Sequence, residues 1–154
     1  MRKFLVLTLL CCLAGCEGPE RAIEAEKARR AVSEAQLAEA RQQFSAFIEE
    51  ATKGAELLES HPDRDAIDAE VKNLQGLLDR ASAVYPEHDQ AATLADDGRR
   101  MMKFFNTCVG MAIHQSKQKD RTPEEARKYI DDTCQGNAGA IRQLIDIMKA
   151  DMGK

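Results

Sequence analysis

Apolar side chains recur through this chain in alternating steps of four and three residues, and that rhythm limits what it can fold into. Phe44, Ile48, Ala51, Ala55 and Leu58 form one such stripe. Ile67, Val71, Leu74, Leu78, Ala81 and Tyr85 form a second. Leu94, Gly98, Met101, Phe105, Cys108 and Ala112 form a third, widened by Met102, Val109 and Ile113. Ala126, Ile130, Cys134, Ala138, Ile141, Ile145 and Met148 form the fourth, which keeps its phase across Gln135-Gly136-Asn137. This is the spacing of helices that bury one face each. Strands would alternate every second residue, and no such stretch stands out.

The punctuation agrees with four helices. Pro19 suits a first helical turn, where its missing N–H costs nothing. His61-Pro62-Asp63-Arg64 reads as a turn, with Asp63 free to cap the next helix. Pro86 closes the second helix, and Lys117 to Asp120 frays the third. Thr122-Pro123-Glu124-Glu125 has a capping box and a proline at the first helical position. The chain has no Trp and only four Pro, and it abounds in good helix formers. The expectation is an all-α antiparallel bundle of about four helices packed at ~20°. Residues 20–36 carry only Ile23 and Val32 as large apolar side chains, so they read as a solvated helical stalk.

The first residues have a different character. Met1-Arg2-Lys3 is basic, Phe4 to Leu13 is apolar, and Leu13-Ala14-Gly15-Cys16 follows. That layout is a secretory signal, too short to span a bilayer as a mature helix, which needs ~20 apolar residues. The LAGC box resembles the lipobox of bacterial lipoproteins. The resemblance implies cleavage before Cys16, diacylglycerol on its thiol and acylation of the new amino group. Two or more chains make a stable anchor where one does not. Glu17 stands where an Asp would resemble an inner-membrane retention signal, which favours a lipid-anchored place on the outer membrane facing the periplasm. The expected organisation is a signal peptide at 1–15, a lipidated tether and stalk at 16–36, and a bundle at 37–154.

The chain has 22 basic and 26 acidic residues. Without Arg2 and Lys3 the count is 20 against 26, a formal charge of −6. That balance argues against nucleic acid as a partner and against a polybasic grip on anionic lipid, so contact with the membrane would run through the lipid on Cys16.

Cys108 and Cys134 both lie on apolar stripes, at nearly equal distances from the turn near residue 121. In an antiparallel hairpin they come level, at ~1.5 Å per residue. In an oxidising compartment this predicts a Cys108–Cys134 disulfide closing the last hairpin, worth ~3–4 kcal/mol. A soft-metal reading of Cys108, Met111 and His114 is the less favoured one, since steps of three spread them around the helix. No metal and no cofactor are expected. Asp63, Asp65 and Asp68 lack the Gly and Glu spacing of a calcium loop and read as capping residues. Asp96-Asp97 and Asp131-Asp132 read as solvated faces.

No C-x-x-C, H-E-x-x-H, G-x-S-x-G or phosphate-loop motif occurs, and no base and nucleophile pair can be nominated. The expectation is a non-catalytic module that binds an unknown periplasmic protein, as an inhibitor or immunity-like protein would. Lys117, Lys119 and Arg121, at the tip of the last hairpin, are the candidate binding residues. The segment FNTCVGMAIHQSKQKDRTPEEARKYIDDTC is similar to small disulfide-stapled helical periplasmic proteins, acid-stress chaperones and type VI immunity proteins among them. No residue role is carried over from that similarity. The alternative is an accessory part of an envelope or secretion assembly, with the long first helix as spacer or coiled-coil strand.

Overall fold

The computed structural model describes residues 19–60 and 63–153, with side chains from residue 22 onward. The signal-like segment, Cys16, and the His61-Pro62 pair lie outside the described residues. Four α-helices account for nearly all of the rest: α1 (Pro19–Glu59), α2 (Arg64–Ala83), α3 (Asp89–Ser116) and α4 (Pro123–Met152). No strand occurs among the described residues. None of these helices is long and apolar enough to cross a membrane.

The helix ends follow local chemistry. Asp63 caps α2, accepting from the Ala66 amide at 2.8 Å. Thr122 caps α4 through the full capping box, its hydroxyl accepting from the Glu125 amide while Glu125 accepts from the Thr122 amide. His88 caps α3, its Nδ1 accepting from the Gln90 amide. α2 stops at Ala83 rather than reaching Tyr85, because the residue before a proline is pushed out of the helical region. Tyr85 sits in the turn instead, its ring 5.0 Å from that of His88. α4 runs unbroken through Gly136.

The chain divides between Ala35 and Gln36 into two compact units. In the first, the described side chains, 22–35, are exposed except for half-buried Ser33. Its ion pair Glu26–Arg30 joins successive turns of the same helix at 3.1 Å.

In the second unit the four helical faces meet around one core. Phe44, Phe47, Phe105, Leu74, Leu94, Met101, Ile141 and Met148 are all fully buried there. Helix directions follow from the contacts. Asn73 donates to Glu50, and Glu70 lies against Gly54, so α1 and α2 run antiparallel. Phe47 approaches Gly98 and Gly54 approaches Phe105, pairs with the same offset of 51 residues (98 − 47 and 105 − 54), so α1 and α3 run parallel. Gln90 donates to the Asp151 carbonyl, and Asn137 donates to the Phe104 carbonyl at 3.0 Å, so α3 and α4 are antiparallel. Two glycines permit close helix approach, Gly54 of α1 to α3 and Gly98 of α3 to α2. A Cβ on Gly98 would lie 2.5 Å from a Leu78 methyl, and one on Gly54 would lie 2.8 Å from the Phe105 ring.

Two expectations need correction. Asp97 does not lie on a solvated face. It is buried on α3, and its carboxylate is kept paired by Arg100 at 3.2 Å, as burial of a charge demands. The disulfide is absent as well: Cys108 and Cys134 are level, as the spacing predicts, but both are free thiols. A disulfide needs its sulfurs ~2 Å apart, and these two do not come that close. The two sulfurs instead face one another at hydrogen-bonding range.

Candidate functional site

Four places on the bundle bring reactive or recognisable chemistry together. The first is the thiol pair. Cys108 is 0% and Cys134 1% exposed, so neither meets solvent in the folded chain. The hydrogen bond from Cys134 lowers the pKa of the Cys108 thiol, helped by the Asn137 amide, which donates to its sulfur at 3.5 Å; burial opposes both. Cys134 is pushed up, first by that same bond, then by burial and by the nearby charges of Cys108 and Asp131. So the Cys134 thiol donates and the Cys108 sulfur accepts. Asn137 also holds the Phe104 carbonyl, tying α4 to the α3 backbone at this level. This is a satisfied polar patch in an apolar interface, and a buried thiol of this kind is inert until the helices part. Cys108, Met111 and His114 do not converge. Cys108 faces α4, Met111 sulfur accepts from Gln115, and exposed His114 pairs with Gln118. Among the described residues no group of three metal-ligating side chains forms.

The second place is the hairpin tip. The three basic candidates there have different surroundings. Lys117 follows α3 as its C-cap and is exposed, as is Lys119. Arg121 is half-buried and folded back. Its guanidinium donates to Gln115 Oε1 at 2.8 Å and lies 4.2 Å above the Tyr129 ring. Gln115 is itself buried, so Arg121 closes the tip by satisfying it. The Thr122 amide, then its hydroxyl, hold the Glu125 carboxyl below the usual carboxylate range, and Arg121 adds to this. Arg121 is thus a fastening and Lys117 and Lys119 are the presented charges.

The third place is a pair of carboxylates between α1 and α2. Glu70 is half-buried, with Oε1 lacking a hydrogen-bond partner. Burial, then the negative charge of Glu50, raises its pKa above the ordinary glutamate value. Lys53 and Asn73 donate to Glu50 at 2.7 and 3.0 Å. Sequence reading missed this pair because the residues lie 20 positions apart on different helices (70 − 50).

The fourth place, also missed, is an outer groove between α3 and α4 of about 460 Å³. Phe104, Leu144 and Ile147 line it, with Arg100 and Lys103 along the α3 side. Ile147 is 49% exposed, unusual for a large aliphatic side chain on this surface. Its signal in the sequence was a second apolar row on α4, Leu144 and Ile147, off the core stripe.

No family model matches the chain, and no curated protein or solved structure matches it either.

Proposed function

We propose that this chain is a lipid-anchored periplasmic module that works by binding another protein rather than by catalysis. The lipobox-like LAGC motif supports the anchor, with Cys16 as the acylated residue and the outer membrane as the favoured site. The observation that carries the binding reading is the hairpin tip. The Arg121 contacts and the Thr122 capping box fix the backbone there, and exposed Lys117 and Lys119 stand on that support. A fixed pair of cations is well suited to an acidic patch on a partner, as in inhibitor or immunity-like recognition, because preorganisation lowers the ordering cost of binding.

The test has two arms. Cys16→Ser should abolish labelling by a fatty-acid analogue; equal labelling of wild type and variant would contradict the anchor. A photoreactive residue at position 119 of the full chain, in its own membranes, should give one discrete crosslinked protein. Lys117→Glu should weaken that band. A yield no higher than from position 53, an exposed site elsewhere on the bundle, would contradict the binding reading.

A second reading keeps some support. In the N-terminal unit Ile23 and Val32 are 55% and 59% exposed. An accessory role in an envelope assembly, with this stretch pairing as a coiled-coil strand, would give crosslinks between copies at position 23 or 32. The nine-residue gap between the two (32 − 23) is wide for a coiled-coil seam.

A further inference from the structure

We infer that the α3/α4 outer groove is a docking site for an acidic amphipathic helix of a partner protein. The inference rests on the protein-binding reading above and adds a surface and a partner chemistry to it. Its shape comes from two antiparallel helices. Residues 100–107 of α3 and 140–147 of α4 flank it, two helical turns each, or ~10 Å at 1.5 Å per residue. Small Ala140 lies between the larger lining side chains, and Phe104, Leu144 and Ile147 supply the apolar wall. Phe104 and Leu144 already rest on the core, so they are held in place, while Ile147 projects. An open trough of this length between two helices accepts the ridge of a third, carrying apolar side chains at i, i+3 or i+4, and i+7.

Charge selects the sign of that helix. The lining holds two cations and no carboxylate. Arg100 spends part of its charge on buried Asp97. Lys103 is exposed, and no ion pair involving it occurs among the described residues. On a chain with a net charge of −4, a basic rim beside an apolar trough is a local inversion of sign. A helix with Glu or Asp beside its apolar row would meet Lys103 and the outward face of Arg100, and its backbone would be hydrogen-bonded within itself. Among the described residues the amphipathic faces of the bundle are already turned to the core, which leaves the groove to an occupant from outside the bundle.

The probe is a pair of labelled synthetic helical peptides of about eighteen residues. Both carry Leu at i, i+4 and i+7; one has Glu flanking that row and the other has Lys. Each is titrated against the full chain in detergent, with fluorescence anisotropy as the readout. The Glu peptide should bind at least tenfold more tightly than the Lys peptide. Lys103→Glu should weaken the Glu peptide about tenfold and strengthen the Lys peptide, and Ile147→Asp should abolish both. Circular dichroism of each variant should stay that of the wild type, since both positions are outside the core. Equal binding of the two peptides, or no response to Lys103→Glu, would overturn the proposal. So would a dimer that Ile147→Asp converts to monomer in sedimentation, since the occupant would then be a second copy. If the peptides fail while the position-119 crosslink persists, the groove proposal falls and the binding module stands. If the crosslink also fails, both fall.

Discussion

α1 contains two stretches of the same secondary structure held by different physics. From residue 22 to 35 every described side chain but Ser33 is exposed, and the local support includes helix propensity and the Glu26–Arg30 ion pair within the helix. From 40 to 58 the same helix buries Ala40, Phe44, Phe47, Ile48, Ala51, Ala55 and Leu58. An isolated helical stretch as short as 22–35 is marginal in water without tertiary contacts. The contrast teaches that helical pattern and helical stability are separate properties. The first stretch has composition on its side, and only the second has a packed face.

That contrast orders the expected effects. Phe44→Ala or Phe105→Ala should cost ~3–5 kcal/mol, because each empties a fully buried position among rigid neighbours. Chemical denaturation followed by circular dichroism checks it; a loss under ~1 kcal/mol would mean the core is loose. Gly54→Ala adds a methyl where the α1/α3 contact has no room, and Gly98→Ala where the α2/α3 contact has none; each should cost ~1–3 kcal/mol. Gly136→Ala, with nothing near its would-be Cβ, should instead be neutral or stabilising. Glu70→Gln should act in the opposite direction. The folded-state pKa of Glu70 is raised, so its penalty is absent below the ordinary glutamate value and appears as pH rises through the raised one. The variant should therefore be the more stable protein at neutral pH, and the difference should vanish in acid. An unchanged difference across that range would remove the buried-carboxylate account. Ile23→Ala and Val32→Ala should move the midpoint by less than ~0.5 kcal/mol, as surface substitutions do.

Much of the bundle was legible in the sequence because each core face has its own period. Most of the four stripes is buried, though Val71, Ala126 and Ile130 are only half-buried and Tyr85 falls in the turn after α2, and Thr122 and Asp63 cap the helices that their positions suggested. What escaped was whatever depends on two helices at once. Phe47 lies off the first stripe, and it is buried because α1 packs on α3 as well as α2. Asp97 reads as a solvated acid until Arg100 and the packing around it are known. The level of Cys108 and Cys134 followed from counting residues, but the distance between their sulfurs, which decides bond or hydrogen bond, did not. Arg121 counted as one of three equivalent cations until Gln115 and Tyr129 were seen beneath it. The α3/α4 groove has no contiguous signature, since its walls lie about forty positions apart in the chain.

The central claim is that stability resides in the packed unit beginning near Gln36 and not in the helix that leads into it. Native-state hydrogen exchange on the full chain in detergent, read amide by amide along α1, tests it directly. Amides from 44 to 58 should exchange only with global unfolding, and their rates should rise together in Phe105→Ala. Amides from 24 to 35 should exchange many orders of magnitude faster, indifferent to that substitution. Equal protection along the whole of α1, lost together in Phe105→Ala, would contradict the account.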